Sequence, residues 1–260
     1  MIFLYIVLPI LSLFLILYLF LILPSDGRKA KAFEGKYIAH RGLHGDGAVE
    51  NTLEAFKRSV DKGYGVELDV QLSSDKIPVV AHDSDLKRVF GIDKKVNSLS
   101  AAELKEIGVP TLEDVLTVLG GKVPLIAEIK GDDLNTEVCE RAAELLDNYK
   151  GLYCIESFNP FLVRWFKKNR KNVVRGQLST AFSKKRDKNI KFIHTLSRHM
   201  LLNFLSRPHF VAYEHKYFGF SVRLCKLFGA HMVCWTTKSE EDQKRASKHY
   251  STFIFENYEP

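Results

Sequence analysis

"VPLIAEIKGDDLNTEVCERAAELLDNYKGLYCIESF" (residues 123–158) contains two short apolar runs separated by a longer amphipathic one. The first run, "VPLIAEIKG", stays apolar until it meets a charged cluster, which is typical of a buried strand and its exit. Apolar residues recur at helical spacing in "TEVCERAAELLDNYKG", and "LYCIESF" is again strand-like. A strand, a helix and a second strand in this order predict one unit of a parallel sheet.

The same alternation continues along the chain in both directions. The other predicted strands are "KYIAHRG", "GVELDVQL", "IPVVAHD", "VVRGQLS", "HFVAYE", "HMVCWTT" and "TFIFENY". Amphipathic runs such as "TLEAFKRSVDKG" and "SVRLCKLFG" separate most of them. About eight parallel strands can close a barrel, so we predict an α/β fold of the (β/α)8 TIM-barrel type. An open doubly wound sheet is the alternative, but no GxGxxG motif follows the first strand.

The N-terminal run "MIFLYIVLPILSLFLILYLFLIL" carries no charged side chain. At about 1.5 Å per residue it can cross a hydrocarbon core of about 30 Å as one transmembrane helix. A cleaved signal peptide is the alternative, but no basic residue precedes the run, and "KAKAF" after it is a poor cleavage site. We therefore predict a membrane anchor at residues 1–23, a basic linker at residues 24–35 and the barrel at residues 36–260.

Charge and cysteine usage indicate the compartment. The basic residues Arg28, Lys29, Lys31 and Lys36 follow the apolar run, and none precedes it. The positive-inside rule then predicts a single-pass membrane protein with its barrel in the cytoplasm. The four cysteines show no CxxC spacing and lie in apolar or helical contexts. Buried free thiols, which suit a reducing compartment, are therefore expected rather than disulfides or a zinc site.

The net charge of +7 is concentrated in residues 164–191, where Asp187 is the only acid. A solvated basic surface explains this density, and so does a surface that lies against anionic lipid headgroups. Nucleic acid is not an expected partner, because no recognised binding motif accompanies the charge.

Three carboxylates lie near the ends of predicted strands. Glu67 and Asp69 in "VELDV" are two residues apart, so their side chains point to the same side of a strand. Two carboxylates this close repel each other unless a hard divalent cation, which prefers oxygen ligands, neutralises them. Glu128 in "IAEIK" can supply a third. Lys130 shares the side of Glu128, where it either balances charge or contacts a bound phosphate.

Two histidines close strands as well, His40 in "IAHRG" and His82 in "VVAHD". Two imidazoles near carboxylates can divide acid and base work close to neutral pH. Arg41 offers a planar fork that suits two phosphate oxygens, although a surface salt bridge is the alternative.

Helix capping explains some of the polar residues in the loop "GLHGDGAVENT" (residues 42–52). Asn51 is a good helix N-cap, and Glu54 three residues later completes a capping box. Glu50 is not explained by capping and is expected to reach the site. His44 lies among glycines and is expected to be exposed and mobile.

The ordered motifs resemble those of the glycerophosphodiester phosphodiesterases. The matching segments are "AHRG", "ENT", "ELDV", "AHD", "PTLEDVL", "EIK", "ESF" and "CWTT". The resemblance runs from about Lys36 to the C-terminus. It implies a TIM barrel that binds a divalent cation, usually Ca²⁺ or Mg²⁺, and that cleaves glycerophosphodiesters to glycerol 3-phosphate and an alcohol.

The resemblance also assigns roles to the residues that match its motifs. His40 and His82 correspond to the acid–base pair, Glu67, Asp69 and Glu128 to the metal ligands, and Arg41 and Lys130 to the phosphate contacts. Trp235 in "CWTT" corresponds to a wall of the substrate pocket, although a core position explains it equally well. The ending "IFENYEP" departs from the family's frequent Thr-Asp-x-Pro, which leaves the pocket near Glu256 undefined.

The expected partners are a membrane, through the N-terminal helix, and a small glycerophosphodiester substrate. A lysophospholipase D that acts on acylated lysolipids is an alternative, with "FIHTLSRHMLLNFLS" (residues 192–206) as an interfacial helix that presents them. A membrane-tethered phosphate-binding module without activity is a further alternative. The complete set of His, Glu and Asp residues argues against it.

Overall fold

The computed structural model describes residues 2–131, 134–181 and 192–260. The strands are β1 Tyr37–Ala39, β2 Gly65–Leu72, β3 Pro78–Val80, β4 Leu125–Ile129, β5 Tyr153–Ser157, β6 Val174–Ser179, β7 Phe210–Glu214, β8 His231–Thr237 and β9 Thr252–Phe255. The α-helices are α1 Ile2–Ile22, α2 Leu53–Lys62, α3 Lys87–Phe90, α4 Ala101–Ile107, α5 Leu112–Leu119, α6 Glu137–Leu146, α7 Pro160–Asn169, α8 Phe192–Arg198, α9 Asn203–Ser206, α10 Phe220–Leu227 and α11 Glu240–Ala246. Two 3₁₀-helices span Gly27–Phe33 and Val96–Ser98.

Eight parallel strands close into a ring in the order β1, β2, β4, β5, β6, β7, β8, β9 and back to β1. The predicted TIM barrel is confirmed. The third predicted strand, β3, lies outside the ring because it pairs antiparallel to β2, with Val80 opposite Val70. Only a short turn joins β2 to β3, and a parallel pairing would need a crossover of about a dozen residues or more.

Successive side chains of each strand point alternately into the barrel interior and outward to the layer of helices. In β4, Leu125, Ala127 and Ile129 pack outward against α5, α6 and α7. Ile126 and Glu128 point to the other side, and Ile126 joins an apolar cluster inside the barrel. Since Ile126 precedes Glu128 by two residues, apolar side chains fill the amino end of the interior and carboxylates its carboxyl end. We call these two ends the amino-end face and the carboxyl-end face.

The segment expected to be a basic linker is packed against the barrel. Gly27, Ala30 and Phe33 are buried, and their spacing of three residues places them on one side of a 3₁₀-helix. Ala30 and Phe33 pack on the apolar interior at the amino-end face. A Cβ atom on Gly27 would lie 2.1 Å from the carbonyl oxygen of Gly229, so only glycine fits there. The 3₁₀-helix Gly27–Phe33 therefore forms a floor for the barrel.

The cysteines agree with the prediction, whereas one residue of the basic region does not. All four cysteines are free and buried, as predicted. In the basic region, Arg175 is buried and donates to the carbonyl oxygens of Ser206 and Arg207. Residues 182–191, which carry much of its charge, lie outside the described residues. Arg175 is therefore not part of the solvated or lipid-facing basic surface expected over residues 164–191.

The helix expected over residues 192–206 is interrupted. It forms α8 and α9, separated at Met200, whose φ is +57°. The break lets Met200 and Asn203 bury their side chains against the end of α1, where Asn203 Nδ2 donates to the carbonyl oxygen of Ile22 at 3.0 Å.

Candidate active site

Three buried carboxylates meet at the carboxyl-end face. Glu67 and Asp69 come from β2, and Glu128 comes from β4, where it is the register partner of Asp69. Carboxylate oxygens of the three residues lie within 4.8 Å of one another, and the residues are only 1–6 % exposed. We call Glu67, Asp69 and Glu128 the acid cluster. Lys130 Nζ lies 2.8 Å from Asp69 Oδ1 and 2.7 Å from Glu128 Oε1.

The pKa values of the acid cluster diverge because its members repel one another. Burial raises the pKa of Glu67 well above its ordinary value, and the charges of Asp69 and Glu128 add to the rise. Burial also raises the pKa of Glu128 to about 7, although Lys130 opposes it. Burial would raise the pKa of Asp69 too, but Lys130, His82 and Arg41 together lower it. Three buried oxygen donors with excess negative charge fit a hard divalent cation such as Ca²⁺ or Mg²⁺.

When a chelator removes divalent cations, we expect Glu67 and Glu128 to contribute less stability as the pH rises. The pKa of Glu128 is raised in the folded state from 4.5 to about 7, and that of Glu67 is raised as well. Their protonated forms therefore stabilise the fold below about pH 4.5, and this contribution is lost as the pH rises through about 7. Burial lowers the pKa of His40 and His82, which opposes this trend over the same pH range. In thermal unfolding with EDTA, the Tm of the wild-type protein relative to Glu67→Gln should therefore be lower at pH 8 than at pH 6 by at least about 2–4 °C.

Adding Ca²⁺ or Mg²⁺ should restore more stability at pH 8 than at pH 6, because the ion replaces the protons. Glu67→Gln removes one titrating group and should flatten the dependence on pH. A Tm difference, wild type minus Glu67→Gln, that stays constant or rises between pH 6 and pH 8 in EDTA would contradict the raised pKa of Glu67.

Both strand-end histidines pair their Nδ1 atoms with carboxylates. His40 Nδ1 lies 3.1 Å from Glu256 Oε2, and its Nε2 points toward the acid cluster, 4.0 Å from Glu67 Oε2. His82 Nδ1 lies 2.6 Å from Asp83 Oδ1. Burial lowers the pKa of both rings, although hydrogen bonds to the carboxylates oppose the shift. Each ring is therefore held by one nitrogen, which leaves Nε2 for proton transfer.

The loop after β1 is tied to the acid cluster through Arg41. Its backbone N–H donates to Glu67 Oε2 at 3.0 Å, and its guanidinium lies 2.8 Å from Glu50 Oε1 and 3.4 Å from Asp69 Oδ2. Glu50 therefore reaches the site, as expected. Arg88, which sequence reasoning missed, bridges Glu50 and Asp83 and so links this loop to the carboxylate that holds His82.

Asn51 is not the N-cap of α2, contrary to the prediction. Thr52 occupies that position, and its hydroxyl accepts from the N–H of Ala55. Asn51 is 4 % exposed, has a φ of +57°, and donates from Nδ2 to Asp69 Oδ2 at 2.8 Å. The sequence "ENT" offers two good capping residues in a row, and the chain uses the second. The first becomes a positioning residue for Asp69.

Replacing Asn51 with glycine is expected to weaken divalent-cation binding by about 10- to 100-fold, the usual cost of losing a partner that orients a metal ligand. Glycine tolerates the positive φ of this position, so the backbone of the loop should survive. Isothermal titration with Ca²⁺ and Mg²⁺ measures the loss, and Asn51→Asp is the companion variant that keeps the size of the side chain but not the donor. Unchanged affinity in both variants would remove Asn51 from the site.

Other strand ends contribute residues that the sequence left undefined. Glu256, which follows β9, holds His40, and this hydrogen bond lowers the pKa of Glu256 to about 2. Glu156 in "ESF" is buried beside Glu128 in the β4–β5 register, and burial raises its pKa well above the ordinary value. Trp235 is half-buried and packs edge-on against Phe158, with ring centroids 5.6 Å apart. Position at a strand end was the signal common to all three.

His44 is half-buried rather than exposed. One of its ring nitrogens lies within 4.8 Å of ligand atoms of His40 and Glu256, so these three residues form a second possible metal-binding set among the described residues. Its mixed imidazole and carboxylate donors suit a transition metal better than Ca²⁺ or Mg²⁺. The all-oxygen acid cluster is the better fit to the expected cation.

Comparison with known proteins gives one consistent family. Residues 40–255 match the Glycerophosphoryl diester phosphodiesterase family. Lysophospholipase D GDPD1 of Mus musculus is 30% identical over an alignment of 143 residues that covers 47% of this chain and 44% of the mouse protein. A glycerophosphodiester phosphodiesterase of Caldanaerobacter subterraneus is 34% identical over an alignment of 149 residues that covers 50% of this chain and 61% of that protein. The chain thus spans about half the length of the curated relatives it matches.

Solved structures extend the similarity over most of the barrel. The glycerophosphodiester phosphodiesterase of Thermotoga maritima superposes with a TM-score of 0.67 at 26% identity, covering 84% of this chain and 93% of that one. An Oleispira antarctica phosphodiesterase was solved with its product sn-glycerol-3-phosphate. It superposes with a TM-score of 0.69 at 25% identity, covering 87% of this chain and 94% of that one. With the barrel, the acid cluster and the paired histidines, these matches show that the chain belongs to the glycerophosphoryl diester phosphodiesterase family.

Proposed function

We propose that the protein hydrolyses glycerophosphodiesters to glycerol 3-phosphate and an alcohol with the help of a divalent cation. The observation that carries the proposal is the pairing of His40 and His82 with carboxylates beside the buried acid cluster. The Oleispira antarctica relative, which was solved with sn-glycerol-3-phosphate, supports the identity of the product.

The acid cluster would hold the cation, which supplies charge stabilisation to the phosphate oxygens when bound. Arg41 and Lys130 bind further phosphate oxygens at the edge of the cluster, where Lys130 stays charged because Asp69 and Glu128 raise its pKa despite burial. Fixed positive groups of this kind stabilise the charge that develops on the phosphorane-like transition state.

The two histidines act as the base and the acid of the reaction. One Nε2 takes the proton from the attacking oxygen, which belongs to water or to the 2-hydroxyl of the glycerol group. The P–O bond to the alcohol breaks, and the other histidine gives a proton to the departing oxygen. If the 2-hydroxyl attacks, a cyclic glycerol phosphate forms, and water opens it with the roles of the two histidines reversed. Glu256 and Asp83 hold the two rings in position by their Nδ1 atoms.

We further propose that α1 is a single-pass membrane anchor and that the barrel, residues 36–260, is cytoplasmic. Helix α1 is long and apolar enough to cross a membrane, and its large apolar side chains between Leu4 and Leu17 are exposed. A signal sequence would have the same length and composition, so fractionation of the full chain after carbonate extraction is the relevant test. Recovery of the full-length protein in the soluble fraction would reject the anchor.

The activity is tested with the full chain in detergent micelles. We expect release of glycerol 3-phosphate from glycerophosphocholine, glycerophosphoethanolamine or glycerophosphoinositol, loss of release in EDTA, and recovery with Ca²⁺ or Mg²⁺. The headgroup panel identifies the preferred alcohol, and a boiled sample controls for background. No release from any substrate, or release that EDTA does not affect, would reject the proposal.

A further inference from the structure

The way α1 docks on the barrel fixes the direction from which it arrives. Tyr18 Oη lies 3.0 Å from Ser221 Oγ, and one turn later Cys225 Sγ donates to the carbonyl oxygen of Ile22 at 3.4 Å. Tyr18 precedes Ile22 by one helical turn, and Ser221 precedes Cys225 by the same distance. The last turns of α1 therefore run alongside α10 in the same direction.

The direction of α10 is known from the barrel. Helix α10 connects β7 to β8, which are parallel, so it begins near the carboxyl-end face and ends near the amino-end face. Beyond Ile22 the chain continues to the floor, where Thr252 Oγ1, at the start of β9, donates to the carbonyl oxygen of Phe33. Helix α1 thus comes in from the side of the carboxyl-end face, and its exposed part extends beyond that face.

The length of α1 sets how close that face comes to a bilayer. Its 21 residues span about 31 Å, against a hydrocarbon core of about 30 Å. The part of α1 that precedes Tyr18, residues 2–17, spans about 24 Å, so all of it is needed for the crossing and Tyr18 lies at the bilayer interface. Aromatic side chains are enriched at such interfaces.

Three exposed aromatic residues follow the carboxyl ends of β6 and β7, on the same side as α1. Phe192 is 76 % exposed, Tyr217 40 % and Phe220 70 %. Phe192 begins α8, which is held at this end by the hydrogen bond from Ser179 Oγ to the carbonyl oxygen of Ser197. We call these three residues the aromatic rim. The basic floor residues Arg28, Lys29 and Lys31 lie at the amino-end face, opposite the face beyond which α1 extends.

We propose that the bilayer lies against the aromatic rim and that the candidate active site opens toward the membrane. This inference rests on the proposed phosphodiesterase activity and on α1 as an anchor. The phosphodiester of a lysophospholipid stands at the headgroup level, while its acyl chain remains in the bilayer. A site that faces the interface can reach that phosphodiester without drawing the chain into water.

The orientation is tested without reference to activity. The matched variants are Phe220→Cys and Leu227→Cys, which lie at opposite ends of α10 and are 70 % and 76 % exposed in the native protein. The four native thiols are buried, which favours selective labelling of the new ones with a nitroxide. In phosphatidylcholine vesicles, the label at position 220 should be reached by lipid-soluble oxygen and shielded from a water-soluble nickel complex, and the label at position 227 should show the reverse. Equal accessibility at both positions, or deeper burial at position 227, would overturn the orientation.

The effect of the orientation on catalysis is tested by placing a charge at the same two positions. Phe220→Glu should lower the hydrolysis of lysophosphatidylcholine in phosphatidylcholine vesicles several-fold, while its rate on soluble glycerophosphocholine stays at the wild-type level. Leu227→Glu should leave both rates unchanged. Equal effects of the two variants on the vesicle substrate would overturn the inference. If the protein cleaves glycerophosphocholine but not lysophosphatidylcholine, the label experiment alone decides the orientation. If neither substrate is cleaved, the proposed activity fails instead, and the label experiment still decides the orientation.

Discussion

Replacing His82 with alanine is expected to lower kcat by about 10²- to 10⁴-fold, the range that positioned acid–base groups contribute. The same loss is expected for His40→Ala. Each ring is held by a carboxylate through Nδ1, at 3.1 Å for His40 and 2.6 Å for His82, so each presents Nε2 in a fixed direction. Alanine removes the proton carrier and leaves the surrounding charges in place.

The double variant should be little worse than either single one, because two groups that act in one proton-transfer sequence give non-additive losses. The measurement is kcat on glycerophosphocholine with saturating cation, together with the Tm of each variant. His199→Ala is the matched control, since His199 is exposed on the barrel surface and is expected to keep full activity. Near-normal turnover in both single variants would show that other residues carry the protons.

Much of the barrel could be predicted because its signals are local. Strands of alternating or continuous apolar residues and helices of regular spacing recur often enough to indicate parallel β/α units. The two-residue spacing of Glu67 and Asp69 predicts that they share a side, and the structure brings them together with Glu128. The position of β3 outside the ring follows from the short turn before it, which the sequence also contains.

The contacts that refine the site are not local, which is why sequence reasoning missed them. Asn51 and Thr52 are equally good caps, and only the distant carboxylate of Asp69 decides which of them turns inward. Glu256 binds His40 from the far end of the chain, and no spacing rule connects them. The packing of the floor on the barrel was not predicted, because basic residues dominate its composition while its buried residues recur only at every third position.

Replacing Asp69 with asparagine is expected to abolish cation-dependent turnover and to weaken cation binding by more than about 10²-fold. The expected loss of cation binding is estimated by comparison with Asn51. A partner that only orients a metal ligand contributes about 10- to 100-fold to the affinity, and the ligand itself should contribute more. Asparagine keeps the shape of the side chain but removes its charge. Lys130, Arg41 and Asn51 all contact Asp69. The variant therefore also removes a carboxylate that neutralises the charged side chains of Lys130 and Arg41.

The comparison of Asp69→Asn with His44→Ala decides which of the two sets of metal-binding residues holds the cation. If the ion lies in the acid cluster, titration calorimetry should show a large loss of Ca²⁺ and Mg²⁺ affinity in Asp69→Asn and little change in His44→Ala. Asp75→Asn, in the exposed turn before β3, controls for the loss of one negative charge on the chain. The reverse pattern would move the ion to His40, His44 and Glu256. His40 would then be a ligand and could not serve as an acid or a base, so this one measurement also bears on the proton-transfer assignment.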